Sequence, residues 1–176
     1  MIDHILLDMD GVLVQWNEAV CELLGKPGLV VDRFKTAECL GISNDEMWES
    51  IDDIGADFWA NLKPYSWTDE LLELVGGFPW TIATAYAQDE TCSQGKHRWL
   101  NNRFGRNFEG MMIGKRKWLM AGPGRVLIDD REKNVIDFDF HGGFGILFPQ
   151  PWNENRHLCD RRMEYVRDQL EMVEND

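Results

Sequence analysis

Near its start the chain carries a short apolar run, residues 4–7, that stops abruptly at Asp8-Met9-Asp10-Gly11. A run of that kind cut off by turn residues predicts a strand buried on both faces, as in a parallel sheet. Residues 17–24 then place Ala19, Val20, Leu23 and Leu24 at helical spacing, with Gly25 as the stop. From about Val30 to Trp67 the pattern is irregular and dense in acidic and aromatic side chains. Within it Asn44 is positioned to cap a helix through Trp48 and Ile51, and Phe58-Trp59 marks a second buried patch. Leucines at 71, 72 and 74 predict a helix over 69–75.

Beyond residue 80 the alternation is regular. Strands are expected over 80–84, 110–113, 125–128 and 144–148. Helical segments are expected over 90–104, ended by Gly105, over 116–120, and over 161–173. Strands alternating with helices specify an α/β protein with a Rossmann-like parallel sheet flanked by helices. The irregular stretch then reads as a small, mainly helical cap inserted into one domain, with the core at 1–16 and 68–176 and the cap at 17–67.

Composition narrows the function. The chain has 176 residues and 18 Lys+Arg against 31 Asp+Glu, a formal net charge of −13. Such a surface attracts neither a nucleic-acid polymer nor an anionic membrane. A small phosphorylated substrate remains compatible, because a metal ion or a few local cations invert the field inside one pocket. Cys21, Cys39, Cys92 and Cys159 are scattered, with neither zinc-knuckle spacing nor a disulfide framework, so reduced thiols in a cytoplasm are expected. There is no basic-then-apolar leader and no run of the ~18 apolar residues that a membrane span needs.

In open α/β sheets, ligands gather at the carboxyl ends of the strands. Four expected strand ends carry polar residues of matching kind: Asp8 and Asp10, Thr84, Lys117, and Asp129-Asp130. Residues i and i+2 leaving a strand point the same way, so Asp8 and Asp10 address one site, and Gly11 permits the turn after them. Converging carboxylates repel unless a divalent cation sits among them, and hard oxygen ligands suit Mg²⁺. Either aspartate alone reads equally as a turn residue; the coincidence of four strand ends does not.

Asp8-Met9-Asp10-Gly11-Val12-Leu13, Thr84, Lys117 and Asp129-Asp130 resemble, in order, the four motifs of the haloacid dehalogenase-like phosphohydrolase superfamily. A phospho-receiver domain has its acidic pair first, the reverse of what is seen here. A closer resemblance is to the 5′(3′)-deoxyribonucleotidase (5′-nucleotidase, C type) family. It rests on the first motif followed by Trp16, on Phe58-Trp59-Ala60-Asn61-Leu62-Lys63-Pro64, and on the Cys92, Gly95, Lys96, Arg98 and Trp99 pattern. Leu127-Ile128-Asp129-Asp130, Ile146-Leu147-Phe148 and Asn155-Arg156-His157-Leu158 complete it.

The resemblance implies a Mg²⁺-dependent phosphomonoesterase acting on nucleoside, especially deoxyribonucleoside, monophosphates. Asp8 would be the nucleophile and form an aspartyl-phosphate, while Asp10 would be the general acid and base. Thr84 and Lys117 would bind the phosphoryl group, with Ala85 beside them. Asp8, the Asp10 carbonyl and the Asp129-Asp130 pair would hold the metal, Asp130 directly and Asp129 behind it. Two departures stand out: Ala85-Tyr86 follows Thr84 where the family often has Ser, and Gly122-Pro123-Gly124 lengthens the path from Lys117 to the acidic pair. Lys115 and Arg116 compete with Lys117 on residue type alone.

Trp16 reads equally as a base-stacking ring and as packing between cap and core. Trp48, Phe58, Trp59, Tyr65 and Trp67 are expected to form the cap's own core, with at most one or two of them facing the ligand. His4, His97 and His141 make no cluster for a transition metal. Two alternatives stay open: a phosphatase of the same fold for another small phosphometabolite, and a phospho-ligand-binding module without turnover. A homodimer is compatible with the chain.

Overall fold

The computed structural model describes residues 1–175. Five strands, β1 (His4–Leu7), β2 (Trp80–Thr84), β3 (Met111–Ile113), β4 (Arg125–Asp129) and β5 (Phe144–Leu147), form one sheet in the order β3-β2-β1-β4-β5. Every neighbouring pair is parallel. β1 is central because it is apolar on both faces: Ile5 and Leu7 point into the larger core and Leu6 into a smaller one.

The large face is covered by α5 (Thr68–Val75), α6 (Thr91–Phe104) and α8 (Arg162–Asn175) through Leu71, Val75, Trp99, Leu100, Met163, Val166 and Leu170. The opposite face carries α7 (Glu132–Phe140) and a single 3-10 turn, Lys117–Met120. There Leu6, Ala83, Leu127 and Phe138 pack together with Met120 and Ala121. This is the expected α/β architecture.

Between β1 and α5 the chain adds α1 (Trp16–Leu23), α2 (Thr36–Leu40), α3 (Asn44–Ile54) and α4 (Ala56–Ala60), with no further strand of the sheet. Ser43, not Asn44, caps α3: its hydroxyl accepts from the Glu46 N–H at 3.1 Å, and Asp45 and Glu46 oppose the positive end of the helix dipole. α4 lies directly on α6, where a Cβ at Gly95 would stand 2.4 Å from the Ala56 carbonyl oxygen. Only glycine admits that approach.

Three helices are not anticipated by the pattern, α2, α4 and α7. α2 has five residues and no side-chain cap. α7 alternates apolar and acidic residues over Ile136–Phe140 in the manner of a strand; it is a helix that buries Val135 and Phe138 and leaves Ile136 and Phe140 in water.

Candidate active site

The carboxyl end of the sheet gathers the acidic residues. Past β1 the ladder continues for one more bond, Asp8 N–H to the Ile128 carbonyl at 2.9 Å, which fixes Asp8 beside β4. Its Oδ1 accepts from the Met9 N–H and from Lys117 Nζ, both at 2.7 Å, leaving Oδ2 without a protein donor. Lys117 also donates to Asp129 Oδ2 at 2.6 Å. Asp129 is fully committed: Asn134 Nδ2 and the Arg131 N–H donate to it as well. Asp130 accepts from Trp152 Nε1 through Oδ2 at 2.6 Å, and its Oδ1 has no protein donor.

Gly11 makes room for this group. Its φ is +78°, and a Cβ there would lie 2.4 Å from Asp130 Oδ2 and 3.1 Å from the Trp152 ring. Gln150 holds the same turn by donating to the Gly11 carbonyl.

On the β2 side, Thr84 is completely buried, with its hydroxyl accepting from Lys96 Nζ at 2.8 Å. Lys96, from α6, also donates to the Ala85 carbonyl at 2.8 Å and to Asp10 Oδ2. Lys96 was not singled out as a site residue. Its signal was present, since it falls on the stripe Cys92, Gly95, Lys96, Trp99 and Leu100 that forms the buried side of α6. A lysine there needs an anion to face.

These groups open into a cavity of about 470 Å³. Asp8, Asp10, Asp130, Lys96, Lys117 and Ala85 line it, whereas Thr84 and Asp129 stand behind its wall. Trp16, Trp48, Trp59, Phe34 and Tyr86 line the remainder, so Trp48 and Trp59 face the cavity as well as the cap interior. Trp16 tilts against Trp48 with ring centroids 5.8 Å apart. Of the three adjacent cations, only Lys117 is buried among the carboxylates; Lys115 lies over Tyr86 at the cavity's edge and Arg116 points into solvent. Gly122-Pro123-Gly124 sits at the opposite end of the sheet, where the Gly124 carbonyl accepts from the Asp3 and His4 N–H groups, so it leaves the cavity unaltered.

Electrostatically the site is short of positive charge. Burial pushes the Asp8 carboxyl up to about 7, with Asp129 and Asp10 adding to the rise and Lys117 opposing it. Burial, then Asp129 and Asp8, also holds Asp130 well above the ordinary range. Burial alone would lower Lys117, but Asp129 and Asp8 outweigh it and keep it charged. Asp8, Asp129 and Asp130 each offer an oxygen within 4.8 Å of the others. Three buried carboxylates around one ammonium, with oxygens left free on Asp8 and Asp130, fit a hard divalent cation.

Comparison with known proteins agrees with this geometry. Residues 1–174 match the family described as 5′ nucleotidase, deoxy (pyrimidine), cytosolic type C protein. No curated protein matches the chain. Among solved structures, a HAD family hydrolase from Deinococcus radiodurans R1 has a TM-score of 0.56 at 16% identity, covering 98% of this chain and 96% of that one. A HAD phosphatase from Thermococcus onnurineus has a TM-score of 0.55 at 16% identity, covering 96% and 98%. A HAD hydrolase from Entamoeba histolytica has 0.51 at 14% identity, covering 97% and 100%. At these identities the structures establish the fold. With the family match spanning almost every residue, the chain belongs to the deoxy (pyrimidine), cytosolic type C 5′-nucleotidase family, has the fold of the haloacid dehalogenase-like hydrolases, and is a phosphoric monoester hydrolase.

Proposed function

We propose that the protein is a Mg²⁺-dependent phosphatase of nucleoside monophosphates, deoxyribonucleotides foremost, working through an aspartyl-phosphate on Asp8. The observation that carries this reading is the orientation of Asp8. The Met9 N–H and Lys117 hold one oxygen, and the other is left free beside the cavity.

In the first step Asp8 Oδ2 forms a bond to phosphorus while the bond to the nucleoside oxygen breaks, and Asp10 donates a proton to that oxygen. In the second, Asp10 takes a proton from water, the water oxygen bonds to phosphorus, and the acyl-phosphate bond breaks to return Asp8. Lys96 orients the Asp10 carboxylate through both steps, with Thr84 and the Ala85 carbonyl fixing Lys96. Lys117 neutralises charge on Asp8 and the phosphoryl group. Asp8, Asp130 and the Asp10 carbonyl would hold Mg²⁺, with Asp129 behind them positioning Lys117. When bound, the ion would neutralise the phosphoryl oxygens and restrain the charge that builds up in transfer.

The Deinococcus hydrolase of the same fold holds phosphate and sodium, which supports an anion-plus-cation site in this architecture. The segment 17–67 acts as the cap, placing Trp48 over the cavity beside Trp16 of the core, where a flat ring suits a nucleobase. A cytosolic setting accords with the family's type, and no described helix is long and apolar enough to cross a membrane.

The test is phosphate release from the full chain across nucleoside monophosphates and common phosphometabolites, with Mg²⁺ and with chelator. Preferred turnover of nucleotides, lost with chelator, is expected. Preference for a phosphosugar or phospho-acid would overturn the substrate, and release that survives chelation would overturn the metal.

A further inference from the structure

The loop that follows β5 is as buried as the core, yet none of residues 148–153 lines the cavity. Gln150, Trp152 and Asn153 are 2%, 8% and 5% exposed. Polar side chains drawn that far out of water have to find partners. Gln150 Nε2 donates to the Gly11 carbonyl. Asn153 Nδ2 donates to the Asp130 carbonyl at 2.9 Å and to the Phe148 carbonyl at 2.8 Å, and Trp152 Nε1 donates to Asp130 Oδ2 at 2.6 Å. Pro149 and Pro151 flank Gln150 and fix φ at both positions, which stiffens the loop. All three donors therefore serve either the turn after Asp10 or Asp130.

Among them the indole is selective. The Asn153 contact fixes the Asp130 backbone, whereas Trp152 distinguishes one carboxylate oxygen from the other. An indole nitrogen only donates, so it holds Oδ2 without competing for a cation. The ring also borders Gly11, where a Cβ would stand 3.1 Å from Trp152 and inside contact distance of Asp130 Oδ2. Oδ2 is enclosed by the turn and capped by an N–H, and Oδ1 is left without a protein donor.

Asp8 is arranged alike: the Met9 N–H and Lys117 occupy Oδ1, and Oδ2 is left over. Asp129 has both oxygens occupied. Three carboxylates thus leave one free oxygen on Asp8 and one on Asp130.

That count separates the two common hard cations. Mg²⁺ demands near-octahedral geometry, keeps several waters and is usually held by one or two carboxylates. Ca²⁺ takes about 6–8 oxygens and gains from carboxylates that ligate through both. A carboxylate whose second oxygen accepts from a buried N–H cannot turn both oxygens to one ion without breaking that bond. We propose that Trp152 is a positioning residue that keeps Asp130 to ligation through one oxygen, and so selects Mg²⁺ over Ca²⁺. The inference rests on the reading of Asp8 and Asp130 as the residues that would hold the metal.

Isothermal titration calorimetry of the full chain with Mg²⁺ and with Ca²⁺, without substrate, reads the selectivity directly. Trp152→Phe keeps an aromatic ring and loses the donor. Its affinity for Ca²⁺ relative to Mg²⁺ is expected to rise at least ~10-fold over that of the wild type. Looser packing alone would weaken both ions together, so an unchanged ratio overturns the proposal.

Infrared difference spectra supply a second reading that needs no variant to fold. With saturating Ca²⁺, the wild type should lack the lowered antisymmetric carboxylate stretch of two-oxygen ligation at this site, identified by its loss in Asp130→Asn. Its presence in the wild type would overturn the role of Trp152 even if that variant does not fold. A wild type that binds neither ion would overturn the metal reading of the site together with this one. Tight Mg²⁺ binding with a ratio indifferent to Trp152→Phe would overturn this one alone.

Discussion

Lys96 donates to the Asp10 carboxylate from a position where only 1% of its own surface reaches water. The same ammonium donates to Thr84 Oγ1 and to the Ala85 carbonyl. Three acceptors around a three-donor group leave it one orientation, so Asp10 is held where the leaving oxygen would need its proton. Lys96→Met is expected to lower kcat about 10²–10³-fold, the usual worth of positioned acid–base catalysis. Lys96→Arg should not restore it, because a planar guanidinium cannot reproduce the tripod. Steady-state phosphate release, with circular dichroism to confirm folding, reads both.

Asp8 makes a prediction about stability as well as turnover. Its carboxyl stands at about 7 in the fold against an ordinary 3.8, chiefly through burial, so the folded chain binds this proton more tightly than the unfolded one. The stability associated with the protonated form is complete below about pH 4 and is lost as pH rises through 7. Asp8→Asn removes that loss. Without divalent metal at pH 7.5 it should be more stable than wild type by a few kcal/mol, while showing no Mg²⁺-dependent release from p-nitrophenyl phosphate. Thermal melts from pH 4 to 8, with and without Mg²⁺, would show wild-type Tm falling with pH in the absence of metal and the variant's curve flatter. Undiminished hydrolysis by the variant would remove Asp8 as nucleophile.

Much of this was legible in the chain, and the reasons differ by residue. Asp8, Asp10 and Asp129-Asp130 stand out because each ends an apolar strand, and a strand end fixes direction as well as place. Lys96 belongs to the pattern that carries the family resemblance but is given no role there, because a charged residue in a helix ordinarily faces water; its place on the buried stripe of α6 marks it as a site residue. Which of Asp129 and Asp130 meets the cavity depends on contacts from Lys117, Asn134 and Trp152, which come from three separate elements. α7 was hidden because its Ile136–Phe140 alternation has the period of a strand while its outer apolar residues remain uncovered.

Gly11 ties the turn to the metal site. Alanine there would have to accept φ near +78° and stand where the Asp130 carboxylate is. The backbone strain alone costs about 1–2 kcal/mol. Displacing Asp130 should add a functional loss, seen as a roughly tenfold higher Mg²⁺ concentration for half-maximal activity, since one ligand is pushed out of place. A Mg²⁺ titration that matches wild type would detach Asp130 from the metal.

Trp16 separates base recognition from packing. Its ring lines the cavity and also leans on Trp48, so its removal touches both. If the ring stacks on a base, Trp16→Ala forfeits about 1–3 kcal/mol of binding for nucleotides and nothing for a phosphate ester that has no base. KM for a deoxynucleoside monophosphate should then rise roughly 5–100-fold, with KM for deoxyribose 5-phosphate unchanged. Loss of cap packing would instead raise both together and lower Tm. Trp48→Ala provides the comparison, because a ring that only supports Trp16 should weaken nucleotide binding less than Trp16 itself. Equal increases for the two substrates would make Trp16 a packing residue and shift base recognition to Tyr86 or Phe34, the other exposed rings of the cavity wall.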